Sequence, residues 1–346
     1  MAPPIQRIPV IVLTGFLGSG KTTLLRTMLD HPDMANAAVL INELGEVGLD
    51  HHLVWGAAGD TTLVLENGCI CCSISDDFIA TLQDLFWKRL HRKIPRFDRV
   101  IIETTGVADP GPIVHFMLAD PLLLERYRIE SVVTTVDASR AAAQLDAHWE
   151  SVRQVACADV LLLTKTDLAK QDAGDELVRR LQLLNPTARL ERAMHGQISP
   201  QHLFGGISGS GAVCDTLRLR VVKPQRHALQ LLHPAGARHS PPRARHDSRI
   251  RSYSFDLPQI FQRALLEQGL RAVLSQLDAK LLRLKGLVQV EGETAPMVVQ
   301  AVGPNLFPLE SLGYPLPVSG RYSLVFITDG LQLQEVTEAV QAWLAV

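Results

Sequence analysis

The chain has 346 residues, 47% of them hydrophobic, and a formal net charge of −2. The length allows two domains, the apolar fraction excludes a disordered chain, and the balanced charge supplies no global basic field for nucleic acid. No apolar run reaches the roughly 20 residues that span a bilayer, and Met1–Pro9 lacks the apolar stretch of a secretory signal. The expectation is therefore a soluble, cytoplasmic protein with no membrane partner.

The first predicted element is a short β-branched strand, Val10–Leu13. It runs into Gly15-Phe16-Leu17-Gly18-Ser19-Gly20-Lys21-Thr22, after which Leu24, Leu25, Met28 and Leu29 recur at helical spacing. Strand, glycine loop and helix is the setting of a phosphate-binding loop, and the eight residues match G-x-x-x-x-G-K-[ST] at every fixed position. Glycines let the backbone approach a ligand closely, so successive N–H groups can point at phosphate oxygens. The helix N-terminus adds unpaired N–H groups and a positive dipole end. In such a loop Gly15, Gly18, Ser19, Gly20 and Thr23 cradle the phosphates. Lys21 reaches the β- and γ-phosphates, and the Thr22 hydroxyl ligates Mg²⁺.

A second strand, Ala37–Ile41, leads to Asn42–Asp50 and then His51 and His52, read together as a polar, glycine-punctuated loop. Its acids Glu43 and Glu46 have three possible destinations: Mg²⁺, a second metal or solvent. A third strand, Leu63–Leu65, enters Glu66-Asn67-Gly68-Cys69-Ile70-Cys71-Cys72-Ser73, and a helix is predicted from Asp76 to Arg92. The five cysteines are Cys69, Cys71, Cys72, Cys157 and Cys214. An odd number with one tight cluster argues against a disulfide framework; in a reducing cytosol it argues for metal or redox chemistry. A turn into a helix N-terminus favours thiolate. Thiolates suit soft or borderline ions such as Zn²⁺, Co²⁺, Ni²⁺ or Cu⁺. A closed structural zinc site takes four ligands, and no second cysteine pair is present. The expected site is an exchangeable one, completed by His, Glu or water.

Arg99–Ile102 is the next strand and ends at Glu103-Thr104-Thr105-Gly106. An acid at the C-terminal end of a parallel strand can sense Mg²⁺ and the γ-phosphate, so Glu103 joins Lys21 and Thr22 as a candidate catalytic residue. A strand at Val132–Val136 ends at Asp137. A helical stretch through Trp149 and Val155 follows, then a strand at Asp159–Leu163 that ends at Thr164-Lys165-Thr166-Asp167. Guanine presents two adjacent N–H donors to one carboxylate, which adenine cannot do. The tetrapeptide is similar to the guanine-reading N-K-x-D segment with Thr164 in the Asn position. Asp167 would take the base and the stem of Lys165 would cover its face.

Prolines and arginines then mark residues 205–249 as a linker or mobile loop. It lacks the interleaved aromatics of a nucleic-acid arm. A nucleotide domain over 1–204 and a small α+β domain over 250–346 flank it. The latter is expected to hold a strand at Arg251–Phe255 and a helix opening at Pro258 and reaching Leu281. Strands at Leu287–Glu291, Met297–Ala301 and Ser323–Ile327 follow, with a last helix near Glu335–Ala345. The fold class is α/β, a mostly parallel sheet flanked by helices.

Gly15–Thr23 (GFLGSGKTT), Asn42–Gly48 (NELGEVG), Glu66–Ser73 (ENGCICCS), Glu103–Pro110 (ETTGVADP) and Thr164–Asp167 (TKTD) together resemble the CobW-type P-loop GTPases of the SIMIBI class. The resemblance continues through Leu282–Gly286 and Gln300–Gly303. It implies a GTPase that turns GTP into GDP and phosphate and binds a transition metal, zinc foremost and cobalt or nickel otherwise. It implies that this turnover is coupled to metal delivery to a client metalloprotein. It implies Cys69, Cys71 and Cys72 as the core of the metal site, with Glu43 and Glu46 joining the metal or Mg²⁺. It further implies Thr164, Lys165 and Asp167 as the base-binding set. Some members carry a dense histidine run in the linker. Here only His227, His233, His239 and His246 are scattered there. The expected assembly is a monomer or weak homo-oligomer. Two other readings stand beside this one: a metal buffer that keeps GTP as a structural ligand, and a P-loop ATPase or kinase.

Overall fold

The computed structural model describes residues 7–42, 52–55, 63–64, 74–169, 171–193, 197–203, 249–257, 259–315 and 322–345. In the first half the apolar runs become the strands of one sheet: β1 (Ile8–Gly15), β2 (Ala37–Asn42), β3 (His52–Trp55), β4 (Leu63–Val64), β5 (Arg99–Thr104), β6 (Tyr127–Asp137), β7 (Val160–Thr164) and β8 (Arg189–Arg192). Their spatial order is β4-β3-β2-β5-β1-β6-β7-β8. From β2 to β8 neighbouring strands are parallel; β3 and β4 add an antiparallel edge. Continuous apolar runs suit strands covered on both faces. The connecting helices are α1 (Lys21–Leu29), α2 (Ile74–Leu90), α3 (Gly111–Ala119), α4 (Pro121–Arg126), α5 (Ala141–Ala147), α6 (Trp149–Cys157) and α7 (Gln171–Leu184).

One core explains the spacing at the start of the chain. Ile11 and Leu13 of β1, Val39, Ile101, Val133, Val160 and Leu162 pack with Leu24, Leu25 and Met28 of α1. Alternation along each strand and the helical repeat of α1 thus meet on one side of the sheet. That packing points the first turn of α1 at the end of β1, where the glycine loop lies.

The described chain divides into two compact units. The first holds the residues up to Ala141, Ala158–Gly174 and those from Arg189 to 203; the second holds Ala142–Cys157, Asp175–Ala188 and the residues from Arg249 onward. In the second unit, β9 (Ile250–Asp256), β10 (Ile260–Phe261), β11 (Leu281–Val290), β12 (Met297–Val302), β13 (Asn305–Leu306), β14 (Glu310–Ser311) and β15 (Ser323–Asp329) build a second sheet. Its main path is antiparallel, β13-β12-β11-β15-β9, with β10 and β14 attached to β11 and β12. Helices α8 (Arg263–Leu277) and α9 (Leu333–Leu344) share one core with this sheet. Also in this unit, the Cys157 thiol donates to the Leu282 carbonyl at 3.5 Å. The Arg249 guanidinium lies over the Trp149 ring and grips both Asp329 oxygens, at 2.8 and 3.0 Å.

Several elements differ from expectation. His52 opens β3 instead of ending a loop. The single helix predicted through Trp149 is two, α5 and α6. Helices α3 and α4 were not anticipated, because Gly111–Ala119 is apolar nearly throughout and shows no periodic face. Asp120 caps α4 by accepting from Leu123 N at 2.8 Å. The helix expected to open at Pro258 opens at Arg263. Phe261 instead stacks on Trp343, ring centres 5.3 Å apart, and its carbonyl accepts from Glu291 N, which holds Ile260–Phe261 beside β11. Leu281 begins β11 instead of ending that helix. Among the described residues no helix is long and apolar enough to cross a membrane.

Candidate functional site

The loop between β1 and α1 adopts the conformation its glycines permit. Gly15, Gly18 and Gly20 all have positive φ, at 141°, 71° and 95°. Gly15 is also constrained by space: a Cβ there would sit 2.2 Å from Thr135 Oγ1 and 2.5 Å from the Thr135 carbonyl. The Lys21 ammonium folds back across the loop and donates to the Gly15 carbonyl at 2.7 Å and the Phe16 carbonyl at 3.4 Å. Burial pushes its pKa down, and the nearby Glu103 carboxylate partly offsets this. An anionic ligand in the loop would lift that penalty, because opposite charge favours the ammonium form.

At the rim, Thr22 Oγ1 donates to Glu103 Oε1 at 3.0 Å. Glu103 is buried, at 5% exposure, next to Thr104 near the C-terminal end of β5. A hydroxyl and a carboxylate side by side are hard oxygen donors, the chemistry Mg²⁺ selects. Beneath the loop the predicted Ser19 meets a set of threonine hydroxyls, Thr14, Thr104 and Thr135, that the predicted site did not include. Ser19 Oγ and Thr135 Oγ1 are 2.6 Å apart, Thr135 Oγ1 reaches the Thr14 carbonyl at 3.3 Å, and Thr104 Oγ1 donates to Thr14 Oγ1 at 2.9 Å. Nothing in the spacing of Thr14, Thr104 and Thr135 joins them; they meet because β1, β5 and β6 are neighbours.

The end of β7 belongs to the same site. Thr164 Oγ1 donates to the Ser19 carbonyl at 2.7 Å, so its side chain ties β7 to the phosphate loop. Lys165 sits in the left-handed region with φ 52°. Its ammonium donates to the Gly18 carbonyl at 2.7 Å and to Asp137 Oδ2 at 2.7 Å. Thr166–Leu168 form a single 3₁₀ turn, and Asp167 on it is exposed. The structure therefore gathers Gly15, Gly18, Ser19, Gly20, Lys21, Thr22, Glu103, Thr164 and Lys165 around the C-terminal ends of β1, β5 and β7. Thr23 is exposed on the first turn of α1, and its carbonyl accepts from the Thr27 hydroxyl at 3.0 Å.

Glu43, Glu46, Cys69, Cys71 and Cys72 lie outside the described residues, as do residues 205–248 of the expected linker. Their points of departure are described. In register, Ile41 pairs with Glu103 and Asn42 with Thr104, so the segment bearing Glu43 and Glu46 leaves the sheet beside Glu103. The segment bearing the cysteines lies in the chain between β4 and α2. In chain order that segment is two predicted strands after the phosphate loop; in the sheet β5, β2 and β3 stand between β1 and β4. At about 4.8 Å per strand step, β4 itself lies roughly 19 Å from β1 across the sheet. The unforeseen β3 is what moves β4 to the edge.

Residues 9–191 match the model of the CobW/HypB/UreG nucleotide-binding domain, and residues 250–344 match that of the cobalamin synthesis protein CobW C-terminal domain. The zinc chaperone YjiA of Escherichia coli strain K12 is 35% identical over 297 residues, which is 85% of this chain and 86% of that one. The zinc chaperone CobW of a Sinorhizobium species is 32% identical over 330 residues, covering 87% of this chain and 86% of that one. Among solved structures, the Zn(II)-bound YjiA GTPase from E. coli superposes with a TM-score of 0.65 at 31% identity, covering 98% of this chain and 99% of the other.

Proposed function

The chain belongs to the CobW/HypB/UreG nucleotide-binding family and carries the CobW C-terminal domain, and from that premise we propose that it is a GTP-hydrolysing metallochaperone whose cargo is zinc. The observation that carries the nucleotide half of this reading is the double grip of β7 on the phosphate loop. Thr164 holds the Ser19 carbonyl and Lys165 the Gly18 carbonyl, both at 2.7 Å. A turn bearing Asp167 is thereby held next to a loop built for phosphates, and a carboxylate there accepts the paired N–H donors of guanine.

In the proposed cycle Lys21 exchanges its two loop carbonyls for phosphate oxygens, while backbone N–H groups from Gly18 to Thr22 bind the remainder. Thr22 and Glu103 would hold Mg²⁺. When bound, Mg²⁺ supplies charge neutralisation at the β- and γ-phosphate oxygens. Cys69, Cys71 and Cys72 bind the cargo zinc as thiolates, with Glu43 or Glu46 completing the ligand set. That E. coli YjiA has been solved with Zn(II) supports this choice of metal. Loss of the γ-phosphate is read by Glu103 and passed to the segment that departs beside it, after Asn42. The metal then moves to a client metalloprotein.

The test is a titration of purified protein with zinc, with and without a non-hydrolysable GTP analogue, repeated on a Cys71→Ala, Cys72→Ala double variant, alongside a phosphate-release assay. The reading expects GTP preferred over ATP, slow phosphate release from wild type and none from Lys21→Ala, and high-affinity zinc binding lost in the cysteine variant. ATP competing as well as GTP would remove the role given to Asp167. Unchanged zinc affinity in the cysteine variant would move the metal site elsewhere. Absence of phosphate release would leave a metal buffer that keeps GTP as a structural ligand.

A further inference from the structure

We propose that Asp137 is a positioning residue for nucleotide recognition, acting through Lys165 to set the base-reading turn against the phosphate loop. The proposal rests on the nucleotide-binding reading given above. Asp137 is the last residue of β6 and is 1% exposed. A carboxylate so deeply buried persists only if its oxygens are fully bonded. Oδ1 accepts from the Ser139 amide at 2.9 Å and the Ser139 hydroxyl at 2.6 Å. Oδ2 accepts from the Lys165 ammonium at 2.7 Å.

The second partner of that ammonium gives the pair its purpose. Lys165 also donates to the Gly18 carbonyl, inside the phosphate loop. A lysine side chain has many rotamers and loses considerable entropy when fixed. The charge of Asp137 is what holds it in the one arrangement that reaches Gly18. Lys165 itself sits in the left-handed region and is the N-cap of the 3₁₀ turn carrying Asp167. The β6–β7 register pairs Asp137 with Thr164, so the two tethers of the base-reading turn, the Thr164 hydroxyl and the Lys165 ammonium, start from adjacent points. Asp137 thus fixes, through Lys165, the distance between the groups that bind the base and those that bind the phosphates. It acts on recognition of a whole nucleotide and not on recognition of phosphate alone.

The experiment compares wild type, Asp137→Asn, Lys165→Ala and the double variant, in binding a fluorescent GTP analogue and in binding pyrophosphate. A charge-assisted hydrogen bond lost at a buried site is worth about a tenfold change in affinity. Asp137→Asn is expected to weaken the GTP analogue about tenfold and to raise KM for GTP with kcat within about threefold. Pyrophosphate binding should stay unchanged. The double variant should bind no more weakly than Lys165→Ala, because the two side chains act as one unit. Equal losses for GTP and pyrophosphate would mean a general structural role and overturn the proposal, as would additive losses in the double variant. Should Asp137→Asn fail to fold, Ser139→Ala removes one donor from the same carboxylate. It is expected to show a smaller loss with the same selectivity, and wild-type GTP affinity in that variant would overturn the proposal. If wild type prefers ATP, the guanine reading fails, and the same cycle run with ATP still decides the role of Asp137.

Discussion

Thr164 shows what a single side chain adds to a motif. In the sequence it reads as the residue that departs from N-K-x-D. In the structure it is 6% exposed and its hydroxyl is spent on the Ser19 carbonyl, with a weaker contact to the Val136 carbonyl at 3.3 Å. That contact joins residues far apart in the chain, so no spacing rule could have found it. Thr164→Val keeps the shape and removes the donor, leaving a loop carbonyl unsatisfied. It should cost about 1–2 kcal/mol of stability by chemical denaturation and weaken GTP binding. Thr164→Asn restores a donor of similar reach and should leave GTP affinity within about threefold; a loss as large as that of the valine variant would show that the tether is not what the position supplies. Asp137 carries a second residue-scale expectation. Burial pushes its carboxyl up, but the hydrogen bonds from Lys165 and Ser139 and the Lys165 charge outweigh this and hold it below the usual carboxylate range. A group depressed on folding contributes stability that is complete above its unfolded value of about 3.9 and is lost as pH falls through the folded value. The difference in denaturation free energy between wild type and Asp137→Asn should therefore be constant from about pH 5 to 8 and shrink below about pH 4. A difference that persists undiminished at acid pH would show that the carboxylate charge is not what stabilises the site.

At the scale of elements, what was legible in the sequence is what depends on neighbours in the chain. The strand, loop and helix of the phosphate site could be read from Val10 to Leu29, since the apolar period changes at the glycines. Elements defined by distant partners were not legible. Ile260 and Phe261 look like the apolar face of a helix, and their assignment to β10 depends on Gln289, Val290 and Trp343. Strand β3 is four residues long, and its pairing with β2 sets it apart from a loop. The joint between α8 and α9 is equally hidden. Gly269 lies mid-helix, where glycine lowers helix stability, and it is present because the Trp343 ring fills the space. A Cβ there would come within 1.8 Å of Trp343 Cδ1 and 1.9 Å of Nε1. Gly269→Ala should destabilise the second unit by about 1–3 kcal/mol through overpacking, despite the better helix propensity of alanine. Thermal denaturation followed by tryptophan fluorescence would report it. A stabilised variant would mean that the ring moves aside and the helix gains what propensity predicts.

At the scale of the molecule the question is how a nucleotide at the phosphate loop after β1 could govern the proposed metal site. Strands β5, β2 and β3 lie between β1 and β4, so the segment that follows β2 is the first connection to the phosphate site to consider. That segment carries Glu43 and Glu46; it leaves β2 beside Glu103 and Thr104 and returns as β3, which pairs with β4. The proposed coupling lies in that segment changing its ligands. Linkage then fixes a number. If a GTP analogue changes zinc affinity by some factor, zinc must change analogue affinity by the same factor, and couplings of this kind typically span about 5- to 150-fold. Measured separately, by zinc competition against a chelating dye and by fluorescent analogue binding with and without zinc, the two factors should agree within error. Both should fall to unity in the Cys71→Ala, Cys72→Ala variant, while its analogue affinity in zinc-free buffer stays at the wild-type value. Glu43→Ala is the informative third arm. If Glu43 alternates between the two sites, the variant loses the coupling factor yet retains most zinc and most analogue affinity, because the thiolates and the phosphate loop are untouched. Wild-type coupling in Glu43→Ala would move the relay to Glu46 or to another path. Equal analogue binding by zinc-loaded and zinc-free wild type would leave two independent sites and end the metallochaperone cycle as proposed.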